Sequence, residues 1–171
     1  TGVQTCALPI SETRDVAVRI GLAWREIRRG ASTGPLREFL YSTDGIDVAL
    51  DTDQIELGQV DTLDLLVQRP TWRMSELADA LRVEPSTATR AVQRLEKSGL
   101  AIRRPSTDDG RGVTVHVTPD GRAVHAAIAA RRTELFTYLM TSFDAAELPA
   151  LAELLERFVS AVDAFVADHR R

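Results

Sequence analysis

The sequence is nearly without cysteine: Cys6 stands alone among 171 residues. One thiol excludes an internal disulfide framework and a zinc site built from several cysteines. Lysine is equally scarce, with Lys97 its single instance, so the basic charge is almost wholly arginine. Aromatic side chains make up only 5% of the chain. No stretch approaches eighteen consecutive apolar residues, which removes a membrane-spanning helix. No secretory signal pattern is visible either, so the cytoplasm is the expected compartment. The three histidines, His116, His125 and His169, lack metal-ligand spacing. Neither a Ser-His-Asp or Cys-His set nor a glycine-rich phosphate loop is found. The expectation is a protein that is not an enzyme, with no metal and no cofactor.

What the chain does have is 44% hydrophobic and 27% charged residues, the balance of a helix-rich globular protein. Its formal net charge is −4, yet the charges are unevenly placed. Residues 11–66 carry 6 basic and 11 acidic side chains, whereas residues 86–113 carry 6 and 3. A basic middle inside an acidic frame points to one localised anion-binding face. Its centre is VEPSTATRAVQRLEKSGL, residues 83–100. There Ala88, Ala91, Val92 and Leu95 fill one helical stripe. Ser86, Arg90, Gln93 and Lys97 line the other side, flanked by Thr87, Thr89 and Arg94, and Glu96 is the only acid inside the helix. A solvated helix normally interleaves signs so that i,i+4 pairs support it. This one is prepared for a polyanion.

The punctuation around that helix gives the organisation. Residues 11–29 form an amphipathic helix with Val16, Ile20, Ala23, Trp24 and Ile27 on one face, ending at Gly30. A turn cluster and a short helix over 36–41 follow, then an acidic, poorly periodic loop at 42–54. A helix over 56–67 is stopped by Pro70. Ser75 is an N-cap candidate for a short helix with Leu77, Ala78 and Leu81 inward. Pro85 suits the first turn of the next helix, over 85–98, and Gly99 its C-cap. Two helices across a three-residue turn make a helix-turn-helix. Period-two alternation in residues 100–104 and 113–118, around the turn-rich 105–112, adds a hairpin wing.

A long helix then runs from Pro119 to about Met140, and a last one starts near Asp144. The last carries Leu148, Leu151, Leu155, Phe158, Val162 and Phe165 at steps of three and four, a coiled-coil-like seam. Helices at both ends have more apolar surface than one small domain needs, and a second copy would cover it. The fold class is thus mainly α with a small β-hairpin wing. A winged helix-turn-helix lobe spans 55–118, with recognition helix 85–98 and wing 100–118. A helical dimerisation region is built from both chain ends, 11–42 and 119–168.

Two resemblances add to this reading. The first ten residues, TGVQTCALPI, resemble a sequencing-library adapter translated in frame, and are set aside as a non-native segment together with Cys6. Residues 14–168 resemble the MarR family of bacterial winged-helix transcriptional regulators. The likeness is carried by MSELADALRVEPSTATRAVQRLEKSGLAIRRPSTDDGRGVTVHVTPDGR, by the wing tip Asp109-Gly110-Arg111-Gly112 and by the joint Thr118-Pro119-x-Gly121. Glu84 departs from the serine or aspartate common at that cap, and residues 42–54 follow no family pattern.

The resemblance implies a homodimeric repressor, bound to a pseudo-palindromic DNA operator and relieved by a small-molecule effector. Ser86, Thr87, Thr89 and Arg90 would reach base edges or adjacent phosphates in the major groove. Arg94 and Lys97 would meet phosphate. One of Arg103 and Arg104 would touch the backbone. Arg111 would enter the minor groove, oriented by Asp109. Trp24, Tyr41 and Trp72 are candidate pocket aromatics for the effector. Plainer readings stay open beside these. Ser86 and Thr87 could serve only the helix start, Arg94 and Lys97 a solvated face, and Asp109 and Arg111 a stabilised turn. The alternative for the whole chain is a winged-helix protein–protein interaction module, which the acidic total charge favours.

Overall fold

Apolar periodicity and turn chemistry place seven helices and three strands among the described residues of a computed structural model. Those residues are 10–32, 34–43, 45–46, 48, 55–105 and 112–169. The elements run α1 (Ile10–Ser32), α2 (Pro35–Tyr41), α3 (Leu57–Leu66), β1 (Trp72–Arg73), α4 (Met74–Leu81), α5 (Pro85–Lys97), β2 (Ala101–Pro105), β3 (Val113–Val117), α6 (Pro119–Met140) and α7 (Leu148–His169). The strands form one antiparallel sheet in the order β1-β3-β2. In its register Trp72 faces Val115, and Arg104 faces Thr114. The mainly helical class with a small wing is therefore what the chain adopts.

The chain divides into two units, 1–128 and 129–171. In the first, Leu63, Leu66, Leu77, Ala88, Val92, Leu95, Leu100, Val115, Val124 and Ile128 are almost wholly buried. These residues come from α3, α4, α5, β3, the first half of α6 and the turn before β2, so one core fixes α5 against the sheet. The second unit holds the rest of α6 and all of α7. No residue of α7 is buried, and Leu155, Phe158, Val162 and Phe165 are 57%, 42%, 46% and 61% exposed. In α1, Val16, Ile20, Trp24 and Ile27 are likewise exposed.

Four boundaries differ from the sequence expectation, one of them the end of α1, which runs through Gly30 to Ser32. The first helix begins at Ile10, inside the segment set aside as non-native, whose residues 1–9 lie outside the described ones. Ser75 is not the cap of α4: Arg73 is, and Ser75 lies in the first turn. Strand β1 runs straight into the helix, and Glu76 reaches back so that its Oε2 accepts the Arg73 N–H at 3.3 Å. The last helix starts at Leu148, four residues later than expected. Pro149 then falls in the first turn, where its missing N–H costs nothing.

Candidate nucleic-acid interface

Pro85 opens α5 and Glu84 is its cap, with extended backbone and no side-chain hydrogen bond. The Glu84 carbonyl instead accepts the N–H groups of Thr87 and Ala88, at 2.8 and 3.2 Å. At the other end Gly99 adopts φ 72°, in the left-handed region. The Leu100 N–H then reaches the Leu95 carbonyl at 2.8 Å, and the Gly99 N–H the Glu96 carbonyl at 3.0 Å. This double bond pattern ends the helix and throws the chain into β2.

Ala88, Val92 and Leu95 are fully buried beneath α5. Ser86, Thr87, Arg90, Gln93, Arg94 and Lys97 are all exposed. The fold thus brings most of the expected recognition residues onto one outward surface. Thr89 is the exception: it is half-buried, and its hydroxyl donates to the Pro85 carbonyl at 2.8 Å. That bond occupies the proton it would offer a base.

Two carboxylates bracket this surface. Glu56, at the cap of α3, pairs with the Arg94 guanidinium. On the other edge, Glu96 Oε1 accepts the Arg103 N–H at 3.0 Å, and Glu96 Oε2 lies 2.7 Å from the Arg103 guanidinium. Arg103 is therefore bound to α5. Arg104 is exposed with no side-chain partner among the described residues, which makes it the strand cation available to a backbone phosphate. The sequence reading missed Glu56, because a side chain 38 residues away gives no local signal. Asp109 and Arg111, at the wing tip, lie outside the described residues.

The three aromatics proposed for a ligand pocket are not alike. Trp24 is 58% exposed, whereas Tyr41 and Trp72 are buried. Trp72 is a packing residue. Its indole N–H donates to the Leu65 carbonyl at 3.0 Å, and Arg69 sits 3.4 Å over its ring. A cavity of about 310 Å³ instead opens beside α5, lined among others by Asp61, Leu65, Leu81, Val83, Thr87 and Ala91. None of the three aromatics lines it.

The histidines also find roles in packing. His116 contacts the Thr114 hydroxyl at 3.0 Å and the Pro70 carbonyl at 3.1 Å, and His125 lies 3.0 Å from Asp64. Among the described residues no group of three or more metal-binding side chains occurs, and no helix is long and apolar enough to cross a membrane.

Residues 55–113 match the model of the MarR family. The chain is 24% identical over 96 residues to the homoprotocatechuate degradative operon repressor of Escherichia coli, a match covering 56% of this chain and 65% of that protein. The matched stretch is thus just under two thirds of the repressor's length. Among solved structures, a MarR family transcription regulator superposes with a TM-score of 0.71 at 23% identity, covering 91% of this chain and 97% of its own. BpsR of Bordetella bronchiseptica, whose DNA binding is regulated by 6-hydroxynicotinic acid, superposes with a TM-score of 0.59 at 19% identity, covering 82% and 98%.

Proposed function

We propose that the chain is a winged-helix protein of the MarR family, whose model matches residues 55–113, and that it is a sequence-specific DNA-binding transcription regulator, acting as a homodimeric repressor. The observation that carries the reading is the outward face of α5. Ser86, Arg90, Gln93 and Lys97 are exposed along it, and no carboxylate pairs with Arg90 or Lys97 among the described residues. The N-terminal half of such a helix enters the major groove, so Ser86, Thr87 and Arg90 read base edges. Arg90 is placed to take guanine, the commonest arginine pairing. Lys97, at the C-terminal end of α5, and Arg104, on β2, meet phosphate, fixing register without reading sequence. In the wing, Arg111 is the residue proposed for the minor groove, with Asp109 as its orienting partner.

Homodimerisation is supported by the exposed apolar faces of α1 and α7. A second copy covering Leu148, Leu151, Leu155, Phe158, Val162 and Phe165 removes a seam that water would otherwise meet. Two-fold symmetry then demands an inverted-repeat operator with half-sites about one helical turn apart. A small effector relieves repression if it favours a state whose lobes no longer fit both half-sites. The cavity beside Thr87 and Ala91 supports that role better than the aromatics do, since it touches the recognition helix itself.

Selection of bound duplexes from a random DNA pool by residues 11–171 tests the reading. The expected result is an inverted repeat whose affinity falls steeply with salt. A folded dimer that enriches nothing at low salt would overturn it in favour of a protein-binding winged helix.

A further inference from the structure

We propose that Glu56 is an internal competitor for DNA phosphate. By pairing with Arg94 it withholds one cation of the recognition face and so sets the affinity and salt dependence of binding. The inference rests on the DNA-binding reading above.

Both partners of this pair remain open to water, with side chains 57% exposed for Arg94 and 55% for Glu56. Such a pair is weakly held, and a guanidinium matches phosphate as well as carboxylate. The backbone of Glu56 is fixed independently, since its N–H is accepted by Gln59 Oε1 at 3.2 Å. Its carboxylate is thus spent on Arg94 and can give Arg94 up without unfolding α3. Glu96, the other carboxylate beside α5, differs. It is only 25% exposed and holds Arg103 through both oxygens. Of the two acids that bracket the face, only Glu56 is built to exchange its partner.

Binding then replaces one ion pair by another at Arg94 and leaves Glu56 beside the phosphate backbone. Arg90 and Lys97 carry no such handicap from any described residue. Arg94 therefore contributes less to affinity than its position suggests, until Glu56 is neutralised.

The test is a double-mutant cycle on the selected operator, with affinity measured across a salt series. Glu56→Gln keeps the shape and the helix cap. It should bind about two- to fivefold tighter at low salt, with a salt slope steeper by up to about one unit. Adding Arg94→Gln should erase that gain, whereas Arg94→Gln alone should cost less than about twofold. The single Arg94→Gln variant keeps the inference falsifiable should Glu56→Gln fold poorly, because a large loss from it would show Arg94 already engaged on DNA. Wild-type binding that Glu56→Gln leaves unchanged or weakens overturns the competitor role alone. If neither wild type nor any variant binds a duplex, the DNA-binding reading fails and this inference falls with it.

Discussion

Glu96 holds Arg103 twice, through the backbone N–H at 3.0 Å and the guanidinium at 2.7 Å. Glu96 belongs to α5 and both Arg103 groups to β2, so one carboxylate ties together the two elements proposed to meet DNA. Removing it by Glu96→Ala leaves the Arg103 N–H to water and the wing less firmly seated. The expected cost is about 1 kcal/mol, read as a lower urea midpoint with an unchanged m-value. DNA affinity should fall while the recovered operator consensus stays the same. A consensus that changes would mean that Glu96 touches bases.

Arg90 and Lys97 share a face but should fail differently. Arg90→Ala should cost about 1–3 kcal/mol of binding and relax preference at one base pair in each half-site. Lys97→Ala should weaken binding evenly across sequences and reduce the salt slope by about one. Affinities on a panel of single-base operator variants at two salt concentrations separate the two.

Gly121 has no room for a side chain. A Cβ there would lie 2.1 Å from the Leu100 carbonyl oxygen and 2.8 Å from a Val117 methyl. The approach is held by Thr118, whose hydroxyl donates to the Gly99 carbonyl at 2.7 Å and accepts the Gly121 N–H at 3.0 Å. Gly121→Ala must push α6 off the turn that ends the recognition helix, and should destabilise by about 2–4 kcal/mol. Thermal unfolding checks this, with Gly21→Ala as the control, since a Cβ at that position meets nothing within 4 Å.

Phe158 is 42% exposed in the middle of the α7 seam. Phe158→Glu places a charge where the proposed dimer needs apolar contact, and should yield a monomer in sedimentation velocity. Affinity for a full inverted repeat should fall to nearly that for a single half-site. A variant that remains dimeric would move the interface elsewhere.

The recognition helix was legible in advance because its signals are local. Pro85 and Gly99 delimit it, and the Ala88-Val92-Leu95 stripe orients it. The wing followed from period-two alternation over residues that do form β2 and β3. Long-range choices were not legible in this way. The cap of α4 shifted from Ser75 to Arg73 because β1 pairs with β3, some forty residues later in the chain. Trp72 looked available to a ligand, yet it packs inside because the Leu65 carbonyl accepts its indole proton.

The sequence by itself determined which residues turn outward on α5 and which element follows which, since these depend on helical periodicity and turn chemistry within a few residues. Only the tertiary structure decided which cations remain available. It assigned Arg103 to Glu96 and Arg94 to Glu56, and left Arg90 and Lys97 without a carboxylate among the described residues. An ion pair depends on distance in space, and packing brings Glu56 and Arg94 together across 38 positions of chain.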